Sequence, residues 1–76
     1  MASLTTTPGA TFTPAVGTFI VSSIGGESIL ERRNSAGGTW AEVGRIRRAG
    51  VDVEQSVAGA QWRMTTVDAT SIEVDQ

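Results

Sequence analysis

The chain has no cysteine, no histidine and no lysine. Without cysteine there can be no disulfide and no thiolate metal site. Without histidine it lacks the commonest metal ligand and the side chain that titrates near neutral pH. Without lysine it also lacks an amine nucleophile. Acid–base or nucleophilic chemistry would have to rest on Ser or Thr with carboxylates alone. The carboxylates are Glu27, Glu31, Glu42, Asp52, Glu54, Asp68, Glu73 and Asp75. They are scattered at alternating positions, as on solvated strand faces, and no loop has the ligand spacing of an EF-hand. No catalytic, cofactor-binding or metal-binding residue is therefore assigned, and the chain is read as a non-enzyme. No stretch is long enough to cross a membrane. The start, Met1-Ala2-Ser3-Leu4, has neither the basic nor the apolar region of a secretory signal, so cytoplasmic synthesis is expected.

The charges present sum to −2, and all six basic residues are Arg. An acidic balance argues against a polyanionic partner such as nucleic acid. Arg without Lys fits interface use, where the planar guanidinium loses less hydration on burial. A high-GC coding bias explains it equally well. At 76 residues the chain is one domain with a modest core. With disulfides and thiolate metal sites removed, association with other chains or with copies of itself is the remaining remedy for marginal stability.

Two regions are visible. Residues 1–16 carry no charged side chain and are rich in Thr, Ala, Gly and Pro. Pro8-Gly9 is turn chemistry, and Pro14 disfavours helix at Thr13. This segment is read as an extended arm, either frayed with an edge strand at 11–13 or laid on a neighbouring subunit. Residues 17–76 read as β throughout. Apolar runs at Gly17–Ile24, Glu27–Arg33, Thr39–Ile46, Val51–Val57, Ala60–Val67 and Ser71–Asp75 are separated by Gly, Asn and Asp punctuation. Short strands at about ten-residue spacing predict an all-β fold. The expected form is a single antiparallel sandwich of six or seven strands, immunoglobulin-like in style, with a small jelly roll or barrel as the alternative. The expected core is Phe19, Val21, Leu30, Trp40, Val43, Val53, Trp62, Met64, Ile72 and Val74. Phe12 on the arm and the basic residues Arg45, Arg47 and Arg48 are the expected intersubunit contacts, with carboxylates as ion-pair partners. A nucleic-acid site would need those Arg on one face beside exposed aromatics. An exposed Trp would favour sugar stacking instead.

The strongest local pattern is Ser28-Ile-Leu-Glu-Arg-Arg-Asn-Ser-Ala-Gly-Gly-Thr-Trp-Ala-Glu-Val-Gly44, a strand, a five-residue Gly-bearing hairpin loop and a strand carrying a Trp. With Trp62-Arg63 and a last strand after it, the segment resembles a hairpin of small β-sandwich modules in tailed-phage virion proteins. These include head decoration (cement) proteins and appended immunoglobulin-like domains. The resemblance covers about residues 17–76; Ala36 stands where such loops often carry Asp. It implies a capsid decoration protein on the virion surface that bridges and stabilises coat subunits. Its partners would be the major capsid protein and copies of itself, as a homotrimer. A tail or fibre component, or a carbohydrate-binding module, is the alternative. A gene product with its own Met1 and no signal is expected to stand alone as a virion subunit.

Overall fold

The computed structural model describes residues 3–76; Met1 and Ala2, where the expected leaderless start and the tip of the arm fall, lie outside them. The described chain is all-β, with seven strands and no helix. They are β1 (Ser3–Thr5), β2 (Gly17–Ile24), β3 (Ser28–Arg33), β4 (Ala41–Ile46), β5 (Gly50–Ser56), β6 (Gln61–Thr66) and β7 (Ser71–Asp75). One sheet has the order β1-β7-β2-β5 and the other β4-β3-β6, and every pairing is antiparallel. The result is a two-layer sandwich. In immunoglobulin domains the last strand belongs to the sheet opposite the second strand. Here β7 pairs directly with β2, with Val21 opposite Val74.

Alternation explains the core. Phe19 and Val21 of β2 face inward with Ile72 and Val74 of β7. From the facing sheet, Leu30 of β3 and Trp62 and Met64 of β6 complete the layer. Phe19 meets Trp62 edge to face at a centroid distance of 4.8 Å, a geometry that aromatic quadrupoles favour. Ser23 and Ser28 are buried near one end, and their hydroxyls are 2.7 Å apart while Ser23 donates to the Gly26 carbonyl. Pairing within the fold removes the penalty of burying them. The Glu27 carbonyl accepts from the amides of Val67, Asp68 and Ala69, which ties the β2–β3 turn to the β6–β7 turn.

The arm belongs to the fold. β1 extends the first sheet beside β7. The chain then crosses to the other sheet, where the Gly9 amide donates to the Met64 carbonyl. Phe12 and Trp62 exchange two backbone hydrogen bonds of 2.8 and 3.0 Å. Farther on, Gln76 bonds both the amide and the carbonyl of Ala15. The expectation that Phe12 contacts a second subunit is corrected by its burial: it is 5% exposed and stacks edge to face on Phe19 at 5.8 Å. The arm lies on its own domain because it closes the β6 edge and fills that end of the core.

Three expected core residues sit elsewhere. Val53 is 56% exposed and Val43 is 40% exposed, while Trp40 is half-buried outside the core. Val53 is directly opposite Ile20 on β2, so both point away from the interior. Val43 falls at a break in register, where β4 bulges against Leu30 and Glu31 of β3. Trp40 precedes β4 and packs on the outer face of the three-stranded sheet.

Candidate interaction surfaces

Two surfaces display chemistry beyond packing. The first is the outer face of the β4-β3-β6 sheet. Strand register places Glu31 opposite Arg63 and Arg33 opposite Gln61. Arg63 Nε donates to Glu31 at 3.0 Å, and Arg33 Nε donates to Gln61 Oε1 at 2.8 Å. Both guanidinium groups stack on Trp40, with their carbons 4.6 Å (Arg33) and 4.2 Å (Arg63) from the ring centroid. Cation–π contacts of this kind hold the indole and both arginines in place. The indole's π surface is thus engaged by the chain's own cations, which counts against its use as a sugar platform. Beside it a shallow pocket of about 260 Å³ is lined by Arg32, Arg33, Asn34, Thr39, Ala41, Glu42 and Val43.

The basic residues expected to act as a cluster are divided. Arg45 bonds Glu27 at 3.1 Å and lies 3.5 Å from Glu42, all within one chain. These carboxylates raise the Arg45 pKa further above its ordinary value. Arg45 therefore clips the β2–β3 turn to β4 and has carboxylate neighbours already. Arg47 and Arg48 are exposed on the turn between β4 and β5, and among the described residues neither has a carboxylate within salt-bridge distance.

The second surface is the outer face of the β2–β5 pair. In β5, Asp52 and Glu54 are opposite the buried Val21 and Phe19, so the acids take the inward side. The valines take the outer side: Val51 is 66% exposed, and with Val53 and Ile20 it makes an aliphatic strip. Ile24, also exposed, continues the strip along β2. On β7 the same outer face carries Glu73 and Asp75, opposite Ser22 and Ile20. An apolar strip with a polar border is a layout that protein contacts use.

Two carboxyl groups here have raised pKa values. Burial is the main cause for Glu54; Asp52 adds to it, and Arg32 opposes it. Glu73 is raised by sharing a hydrogen bond with Asp75 and by that neighbour's charge. Both acids hold a proton more tightly folded than unfolded, so at neutral pH their charged forms weaken the fold. That penalty is relieved as pH falls through the folded pKa values and is gone below the unfolded ones. The thermal midpoint is expected to rise as pH is lowered from 7 towards the upper carboxylate range, read by circular dichroism. A midpoint that falls steadily over that interval would contradict the assignment.

No family model matches the chain, and no curated protein and no solved structure matches it. Among the described residues no group of three His, Cys, Asp or Glu side chains converges as a metal site would require. Sequence reasoning missed the valine strip, although the Val51-Asp52-Val53-Glu54 alternation contained it. It took the valine side as the inner one.

Proposed function

We propose that the chain is a non-enzymatic structural protein of a tailed-phage virion, a capsid decoration protein that binds coat subunits and slows their separation. The observation that carries a binding role is the aliphatic strip of exposed Val51 and Val53 beside half-buried Ile20 on the outer face of the β2–β5 pair. Burying such a strip against another protein is favourable by roughly 25 cal/mol per Å² of apolar surface. The hairpin Ile29–Trp40, with Trp62-Arg63, supplies the resemblance to virion modules; fold alone would not name a partner. Many weak copies acting together on a regular lattice give strong net attachment. The Trp40 stack and its Arg63–Glu31 ion pair would keep the opposite face rigid while the valine face docks.

The test is co-sedimentation with expanded empty capsids made from the coat protein of the same genome. Binding at a fixed copy number is the expected result. The double substitution Val51→Ser with Val53→Ser is expected to weaken that binding at least about tenfold, roughly 1.4 kcal/mol. Both sites are exposed, so the melting temperature should change little. Chains that ignore capsids at any concentration would sink the decoration reading. Undiminished binding by the double variant would remove the valine strip from it.

A further inference from the structure

Four strands end the two sheets: β1 and β5 in one, β4 and β6 in the other. An edge strand offers unpaired amides and carbonyls to any extended chain, and proteins blunt such edges. Three of the four are blunted here. β1 spans only three of the described residues. β4 carries the bulge at Val43. β6 is covered by the arm through the Phe12 bridge. β5 is seven residues long and runs in unbroken register against β2 from Gly17–Ser56 to Ser23–Gly50. It is the one long, straight edge among the described residues.

β5 is instead guarded by charge. The Val53 amide donates to the Asp52 carboxylate at 2.9 Å. An amide within the ladder would donate to a carbonyl of β2; one taken by its neighbour's side chain is left over for the free edge. Asp52 and Glu54 also share the inward side of the strand. Suppose β5 added to β5 of a second copy, antiparallel, with the two inner faces continuous. Centred on Asp52, Val53 or Glu54, the pairing would set Asp52 against Asp52, Asp52 against Glu54, or Glu54 against Glu54. Like charges directly opposite across strands are destabilising.

We infer that β5 is a charge-selected site for strand addition, which refuses a second copy and accepts an extended partner segment with basic residues at alternate positions and apolar residues between. The basic side chains fall opposite Asp52 and Glu54 and draw the Asp52 carboxylate away from the Val53 amide. The freed amide then joins the new ladder. The apolar side chains of the added strand extend the strip formed by Val51, Val53 and Ile20. Arg32, from the facing sheet, favours the charged form of Glu54. Main-chain bonds supply affinity in such additions and alternate side chains supply specificity. The inference rests on the docking role proposed above and names the chemistry of the docked segment.

The test follows amide exchange in the full chain by NMR, with two blocked pentapeptides as probes, Val-Lys-Val-Lys-Val and Val-Glu-Val-Glu-Val. The lysine peptide, at ten times its dissociation constant, is expected to slow exchange at Val53 and Val51 roughly tenfold. The glutamate peptide should leave both unchanged. D52N/E54Q, folded by circular dichroism, should lose the preference between the peptides and gain self-association in sedimentation. Equal protection by both peptides, or none by either, overturns the inference. So does a D52N/E54Q protein that still prefers the lysine peptide. Peptide protection without capsid binding leaves strand addition standing and removes the decoration role; capsid binding without peptide protection does the reverse.

Discussion

Deletion of residues 1–13 is expected to abolish cooperative folding, not merely attachment to a partner. A domain of this length has a total stability on the order of 4–11 kcal/mol. Removing a buried Phe side chain costs about 3–5 kcal/mol, and Phe12 is such a residue, in edge-to-face contact with Phe19. The deletion also removes β1 from the β7 edge and both Phe12–Trp62 backbone bonds from β6. It leaves β6 as a second bare edge, which invites aggregation. Far-UV circular dichroism with urea denaturation measures the outcome. The truncated chain should show a broad, non-cooperative transition or precipitate, and Phe12→Ala alone should lower the unfolding free energy by about 3–5 kcal/mol. A sharp transition within about 1 kcal/mol of the full chain would mean that the arm serves attachment and not folding, as an extended arm laid on a neighbouring subunit would.

That reversal shows where the sequence is legible. The strand runs could be read because alternation and Gly punctuation are local, and the two-layer class follows from having many short strands. Direction relative to the core is not local. Val51 and Val53 alternate with Asp52 and Glu54, and the pattern itself does not say which side is inside. The side is fixed by β2, whose larger residues Phe19 and Val21 claim the interior and carry Glu54 and Asp52 with them. The three-stranded sheet does not fully cover β5, so the acids keep solvent while the valines face out. Trp40, Val43 and Ile46 recur every third residue, which no regular strand can bury on one face. That spacing was the available sign of the bulge in β4. The arm was misread for another reason. A single Phe in a Thr- and Pro-rich segment carries no periodicity, and its burial depends on a hole between sheets that only tertiary structure creates. Arg45 reads as an ion-pairing residue, but that its closest carboxylate is Glu27 of its own chain is settled only by folding.

The two tryptophans should separate by a wide margin. Trp62→Ala is expected to cost about 3–5 kcal/mol, enough to leave most chains unfolded near room temperature if the wild type is marginal. Trp62 is 1% exposed and central, with Phe19 against one part of its ring and Arg32 5.6 Å from the centroid. A cavity of that size in the layer between the sheets closes only in part, because the packed side chains around it relax only partially. The indole N–H has no hydrogen-bond partner in its buried position. Trp62→Phe therefore loses ring volume but also removes an unsatisfied donor, and its cost should be well below that of the alanine change. Trp40→Ala removes the two guanidinium stacks on a partly solvated face and should cost only about 1–2 kcal/mol. Urea denaturation of all three variants, compared at constant m-value, gives the differences directly. The ordering Trp62→Ala, then Trp62→Phe or Trp40→Ala, is the expected one. A Trp40→Ala loss as large as that of Trp62→Ala would place Trp40 in the core after all. A Trp62→Phe loss equal to the alanine change would mean that the indole N–H contributes a stabilising bond, to a buried water or to a partner chain.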